Sequence, residues 1–312
     1  MKILVTGALG HIGSSLIRIL PNKIKKIEHI LLLDNLSSQR YSSLFDLPNQ
    51  NYTFIEGDIR NADMDKILCD IDYVIHLAAI TDAAGSFGNA EEVESNNYEC
   101  TKVIANACLK NNVKLITLSS TSVYGTQDEV VSEDCSLDDL NPQSPYAKTK
   151  LLEEELVIQM CDEGLNAVVC RFGTIYGNSI GMRFHTAVNK FCWQAIHDMP
   201  ITVWKSAYEQ KRPYLDLNDA IRSLSHIIDR DLFTGDIYNI LTENLTVKNV
   251  TDTIKKYIPN LKIEFVENEI MNQLSYDVSN KKFKETGFEF QGSIQKGVEN
   301  TLKLFSYKKL NE

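Results

Sequence analysis

The chain enters KILVT at residues 2–6, meets the glycine turn TGALGHIG at once, and then repeats apolar, β-branched runs at 29–34, 52–56, 73–78, 114–119 and 167–172. Between these runs lie stretches of helical period. The clearest is 92–110, where Val93, Asn97, Cys100, Ile104 and Ala107 fall on one face. Near-continuous apolar strands separated by helices demand a parallel sheet covered on both faces, the doubly wound α/β arrangement. Any ligand crevice of such a sheet lies beyond the carboxyl ends of its strands. After Gly173 the rhythm changes to a helix-like run at 183–198, a strand at 201–204, a helix at 217–229 and shorter elements. The chain is therefore divided into a domain of 1–173, to which 214–240 returns, and a smaller C-terminal lobe of 174–213 and 241–312.

Gly7, Gly10 and Gly13 recur at three-residue intervals between the first strand and a helix. Small residues there let backbone approach a pyrophosphate, whose charge is favoured by free N–H groups and the helix dipole. A tight strand-to-helix turn would need glycine too, but the strand-turn-helix setting points to dinucleotide binding on a Rossmann-like sheet. Asp34 ends the second strand, 21 residues after Gly13. A carboxylate there accepts both adenosine ribose hydroxyls and repels a 2′-phosphate, which favours NAD over NADP. Arg40 is close enough in sequence to offset that repulsion, and a lone strand-end Asp can equally cap a turn. GDIR (57–60) and HLAA (76–79) follow the third and fourth strands. Asp58 and Ile59 can flank an adenine and Ala78 and Ala79 leave room for the cofactor backbone, though ordinary strand-end turns explain each alone. His76 reads as a packed strand histidine, since the six histidines show no metal spacing.

SPYAKTK (144–150) places Ser144 as an N-cap, Pro145 as the first helical residue, and Tyr146 and Lys150 one turn apart on the same side of the helix. A free phenol, with a pKa of ~10, is a poor base at neutral pH. An adjacent ammonium and the positive charge of an oxidised nicotinamide both stabilise phenolate, so the pair can take a proton from an alcohol. The bland alternative is a tyrosine beside a surface lysine. SSTSVYG (119–125) adds hydroxyls at the end of the fifth strand, of which Ser120 can bond the same alcohol.

A formal charge of −10 supplies no basic field for nucleic acid or anionic lipid, so the expected partner is a small molecule. Seven cysteines, Cys69, Cys100, Cys108, Cys135, Cys161, Cys170 and Cys192, are odd in number and lack a C-x-x-C pair, which reads as reduced thiols. With a strand at the N-terminus and no apolar run approaching a membrane span, a cytoplasmic, soluble protein is expected. No metal site is expected.

In joint order these segments resemble the extended short-chain dehydrogenase/reductases of the nucleotide-sugar epimerase and dehydratase group. The likeness runs through TGxxGxxG at 6–13, Asp34, GDIR, HLAA, an N-x-x-[GC]-T helix with Asn97 and Thr101, SS-x-x-VYG, Y-x-x-x-K, RFGTIYG (171–177) and KRPYLDLNDA (211–220). The resemblance implies that Tyr146 is the base, that Lys150 lowers its pKa and holds the nicotinamide ribose, and that Ser120 is the hydroxyl partner, with Thr121 next in line. It implies NAD contacts from His11, Ile12, Asn35, Leu77, Ser119, Phe172 and Thr174 besides those above, with Asn97 as a structural amide. Thr81, Thr121, Ser122 and Asn189 become substrate contacts. Arg212 is expected on the diphosphate of the nucleotide sugar, against the alternative of a solvated charge. A homodimer packed through the 92–110 and 146–163 helices is a further implication, as is a setting in surface-polysaccharide precursors.

Departures narrow the chemistry. Dehydratases of the group carry Asp-Glu where this chain has Thr121 and Ser122, and decarboxylases carry Glu at the place of Ser122. What remains is oxidation and re-reduction at one carbon, typically C4. An NAD-dependent 4-epimerase is the leading expectation, ahead of a net 4-dehydrogenase or 4-ketoreductase, with a non-catalytic NAD-binding regulator behind both. YGNSIGMRFHTAVNKF (176–191) is similar to a subgroup in which S-x-x-M-R-F precedes the long lobe helix, which makes Arg183 a second phosphate ligand or an exposed helix-start arginine.

Overall fold

The computed structural model describes residues 1–83, 85–136, 139–267 and 275–305. In chain order the first half contains β1 (Lys2–Thr6), α1 (His11–Lys23), β2 (His29–Asp34), β3 (Tyr52–Glu56), α2 (Met64–Leu68), β4 (Tyr73–His76), α3 (Ala90–Asn111), β5 (Lys114–Ser120), β6 (Val130–Val131), α4 (Pro145–Asp162) and β7 (Ala167–Phe172). Next come β8 (Thr174–Tyr176), α5 (Ala187–Ile196), β9 (Ile201–Trp204), β10 (Lys211–Asp216), α6 (Leu217–Arg230) and β11 (Ile237–Ile240). The chain continues with β12 (Glu243–Thr246), α7 (Val247–Lys255), β13 (Ile263–Val266), β14 (Asp277–Val278), α8 (Lys281–Glu285) and α9 (Ile294–Phe305).

Seven strands form one parallel sheet in the order β11-β7-β5-β4-β1-β2-β3. Its two faces follow from the period of two along each strand. Ile3 and Val5 of β1, Ile30 and Leu32 of β2, Ile75 of β4 and Ile116 of β5 pack with α1 and α6 residues such as Leu16, Ile17, Leu224 and Ile227. Leu4, Leu33, Val74 and Leu115, their neighbours in sequence, point the other way and meet Ile104, Cys108, Val157 and Met160 of α3 and α4. The expected Rossmann-like doubly wound sheet is therefore present. Strand order reverses between β1 and β4, so a crevice opens where the glycine turn and HLAA leave the sheet.

β11 lies beside β7 in that sheet, and α6 packs against α1, whereas residues 211–216 form β10 in a separate sheet of order β12-β10-β8. A third core joins Val188, Phe191 and Cys192 of α5 to Ile201, Val203, Val250, Ile254, Val298 and Leu302. Phe283 and Phe288 fall within 241–312 yet pack into the main core rather than this one. Two parts of that range, 268–274 and 306–312, lie outside the described residues.

Helix α4 carries the site and is seated by polar anchors. Ser144 accepts from the Ala147 N–H at 3.1 Å, capping the helix, and Pro145 occupies its first turn. Lower down, Arg171 of β7 donates to Glu154 through Nε at 2.9 and 3.1 Å and through Nη2 at 2.6 Å, and to the Tyr124 hydroxyl at 2.8 Å. All three groups are buried, so the pair fixes the helix to the sheet. Removing one partner alone would leave an uncompensated charge at a cost of about 3–5 kcal/mol.

Candidate active site

Beyond the carboxyl ends of the strands lies a cavity of about 480 Å³ lined from the glycine turn, the ends of β4, β5 and β7, the start of α4 and the lobe. Gly7 has φ of +62°, and a Cβ built there would sit 2.7 Å from the Ala78 nitrogen. The turn after β1 and the turn after β4 thus touch, backbone to backbone. Helix α1 begins next to this cradle with Gly10 as N-cap, no side-chain cap and no acid in its first turn. Those features suit a pyrophosphate, and the site residues present fit a dinucleotide.

Gly7, Gly10, His11, Ile12 and Gly13 line the cavity, as do Leu77, Ala78 and Ala79 across from them. β4 ends at His76, two residues before the expected strand does, and there the Thr6 hydroxyl oxygen accepts from the Leu77 and Ala78 N–H groups at 3.2 and 3.4 Å. Asp34 stands at the end of β2, where its carboxylate accepts from Leu9 N at 3.0 Å and Leu36 N at 2.9 Å and braces the glycine turn. Asn35 donates to Asp58 at 3.4 Å, and Asp58 is held by Arg60 at 2.7 and 2.9 Å, which lowers its pKa to about 2. Ile59 is 4% exposed and packs in the core beneath the turn. Arg40 lines the cavity near Gly10 and is drawn by Asp34.

Tyr146, Lys150, Ser119, Ser120, Thr121, Ser122, Phe172 and Thr174 all line the same cavity. Ser120 accepts from the Ser122 N–H at 3.2 Å and from its hydroxyl at 2.9 Å, which fixes the oxygen at the end of β5. Thr121 turns inward, is 2% exposed, and donates to the Phe172 carbonyl at 3.4 Å. Burial pushes the Tyr146 phenol up from its ordinary value, against the opposing pull of Lys150 and Arg183. The direction expected from Lys150 is present, and burial outweighs it. For Lys150, burial lowers the pKa, but Glu153 and Tyr146 outweigh it and leave the ammonium raised.

From the lobe, Arg183 and Arg212 reach the cavity, and Arg183 donates to the hydroxyl of Thr81, which lines the cavity from the segment after β4. The segment carrying Arg183 is docked on the glycine turn. Gly181 N donates to Ser14 Oγ at 2.9 Å, and His11 shares a hydrogen bond with Ser179 at 2.8 Å. A Cβ at Gly181 would fall 2.4 Å from the Leu9 carbonyl. Asp34, Asn35, Asp58, Ile59, Asn97 and Asn189 stand outside the lining. Asn97 clamps Ile80 through N–H and C=O at 2.8 and 2.9 Å. Asn189 likewise holds Gly177, at 3.1 and 3.3 Å, and the Arg183 carbonyl at 3.4 Å, so it positions Arg183. Sequence reasoning missed His185, Lys190 and Tyr276, which also line the cavity, and Glu153, buried beneath Lys150. A basic helix start at 183–190 was the signal available for the first two.

His76 is 4% exposed, and burial, followed by Lys150, lowers its pKa to about 3. Its folded value lies below the unfolded one, so it stabilises the fold above pH ~6.5 and less as pH falls towards 3. Between pH 7 and pH 5 His76 is expected to account for about 2 kcal/mol of lost stability. Denaturant titrations of the parent and of His76→Gln at both pH values test this. The variant's loss should be smaller by that amount.

The chain matches the model of the NAD dependent epimerase/dehydratase family over residues 3–240. It is 32% identical over 250 residues to an uncharacterized UDP-glucose epimerase, YtcB, of Bacillus subtilis, covering 77% of this chain and 76% of that one. It is 28% identical to the trifunctional UDP-glucose 4,6-dehydratase/3,5-epimerase/reductase RHM3 of Arabidopsis thaliana over 98% of its own length, but spans only 47% of that larger protein. The fold superposes on UDP-glucuronic acid 4-epimerase of Bacillus cereus, crystallised with UDP-glucuronic acid and NAD, with a TM-score of 0.86, 28% identity and coverage of 98% and 99% of the two chains. With the glycine cradle, Tyr146 and Lys150 converging on one cleft, this chain belongs to the NAD dependent epimerase/dehydratase family.

Proposed function

We propose that the protein is a nucleotide-sugar 4-epimerase acting on a UDP-hexose or UDP-hexuronate by transient oxidation at C4. The observation that carries this reading is the acid-base content of the cleft. Tyr146 and Lys150 converge there with the glycine cradle, while Asp82 is the one carboxylate among the described lining residues. Asp82 accepts from Gly85 N at 3.0 Å. Loss of water from the sugar needs an acid and a base beside its leaving group. At 121 and 122 the chain offers a threonine bound to a carbonyl and a serine bound to Ser120.

Tyr146 takes the proton of the C4 hydroxyl and later returns it, and Ser120 holds the same oxygen by a hydrogen bond. NAD, when bound, supplies the reversible hydride acceptor that such an oxidation requires. Lys150 keeps the phenol's field positive and holds the nicotinamide ribose. Gly7 to Gly13 would hold the pyrophosphate, with Arg40 beside them, and Asp34 would hold the adenosine ribose. Arg212 and Arg183 carry the cations that a nucleoside diphosphate sugar needs in a chain of net charge −10. Thr81, already bonded to Arg183, would contact the sugar.

Incubating the purified enzyme with UDP-glucose, UDP-N-acetylglucosamine and UDP-glucuronic acid, with no added reductant, tests the reading. Proton NMR should show one of these pairs of C4 epimers approaching equilibrium. A stable keto product, or stoichiometric NADH, would favour the net dehydrogenase instead. The same reading carries a homodimer through α3 and α4, on whose face Leu152 is 40% exposed, in a cytoplasmic setting. Sedimentation gives the mass: twice that of the chain is expected.

A further inference from the structure

Glu153 lies beneath the proposed base, one turn below Lys150, and is 3% exposed. Its Oε2 accepts from Lys150 Nζ at 2.9 Å and from the Thr101 hydroxyl at 2.7 Å. A carboxylate can only accept, so Thr101 must spend its one hydroxyl proton on Glu153. Thr101 then accepts from His76 Nε2 at 3.4 Å, which makes His76 the neutral Nε2–H tautomer. Its Nδ1 in turn accepts from the Thr6 hydroxyl at 2.7 Å. Thr6 Oγ1 receives the Leu77 and Ala78 N–H groups that line the cofactor cradle. One carboxylate therefore orders a directional chain running from Lys150 to the glycine turn. Its second oxygen, Oε1, has no hydrogen-bond partner among the described residues.

The other charges around the site are accounted for. Tyr146 is faced by Lys150 and Glu153 from its own helix and by Arg183 from the lobe. Lys150 is faced by Glu153, Tyr146 and Glu154 on α4 and by His76 on β4. Cys100 of α3 faces Glu153 and Lys150, and His185 faces Arg183. Glu154 is already matched by Arg171 at 2.6 Å. Among the described residues only Glu153 is left to act on Lys150 at contact distance, and it does so in a buried place where charge is weakly screened.

We propose that Glu153 is a positioning residue that holds the Lys150 ammonium through contact with Oε2 and, by its own charge, offsets the help that Lys150 gives to a Tyr146 phenolate. Its effect opposes that of Lys150, so the pair sets the pH at which the base becomes available. This rests on the reading of Tyr146 as the base.

The test uses Glu153→Gln and Glu153→Leu, which remove the charge, and Glu153→Asp, which keeps it. In the enzyme as purified, the acid limb of kcat/KM should move to lower pH by about one unit in both charge-removing variants, a gain of about tenfold below the limb. Glu153→Asp should leave the limb near its parental position. A second readout is the tyrosinate absorbance of each protein minus that of its Tyr146→Phe counterpart, whose midpoint should fall in parallel. A limb and a midpoint unmoved by loss of the charge would overturn the proposal. So would failure of both charge-removing variants to fold, since the carboxylate would then be a structural requirement. If Tyr146→Phe keeps its activity, the base assignment itself fails, whatever Glu153 does.

Discussion

Tyr146→Phe should lower kcat/KM by about 10³-fold while the protein keeps its fold and its bound NAD. The change removes one oxygen and leaves the ring, and the ring is what packs at the start of α4. The backbone N–H of residue 146, which donates to Ser86 Oγ at 3.4 Å, is untouched. What is lost is the phenol oxygen beside Lys150 that takes and returns the alcohol proton in the proposed reaction. A uniform rise in KM with kcat unchanged would mean that the phenol only binds sugar. Steady-state kinetics with the best nucleotide sugar, together with the ultraviolet spectrum of the purified variant, separate these outcomes.

Gly7→Ala should act on the other half of the site and on folding as well. Residue 7 has φ of +62°, and the added Cβ would meet backbone atoms of Leu77 and Ala78 at 2.7–2.8 Å. Backbone on both sides leaves nothing flexible to move aside. The left-handed strain and the overpacking together cost about 2–5 kcal/mol. The variant is expected to unfold at lower denaturant and to purify without NAD. Gly10→Ala is the comparison, since its Cβ would come no nearer than 3.3 Å to the Gly7 carbonyl and 3.9 Å to Arg40. A Gly7→Ala protein with parental stability and a full complement of cofactor would mean that the two turns are not in contact.

The sheet, the glycine turn and the Tyr-Lys pair were legible because each is local. A period of two, a three-residue glycine spacing and a four-residue helical step can all be read from neighbours in the chain. Glu153 was not legible for the opposite reason. LLEEEL (151–156) looks like a solvated face, and nothing in it says that Glu153 and Glu154 are buried while Glu155 is exposed. Their partners, Thr101 and Arg171, come from α3 and β7. Asn189 was read as a sugar contact, yet its amide is taken by Gly177 and Arg183, through a loop that folds back only in three dimensions. The same holds for Gly181, whose missing side chain lets the lobe touch the cofactor turn at Leu9 and Gly10.

The hydride at the heart of the proposed reaction should leave and return to one carbon inside a closed cleft. A UDP-sugar deuterated at C4 is therefore the most direct probe, followed by mass spectrometry and NMR of both epimers in ordinary water. Full retention of deuterium at C4 in substrate and product is predicted. Washout of the label to solvent, or its arrival at another carbon, would contradict an oxidation and re-reduction at C4 with Tyr146 as the base.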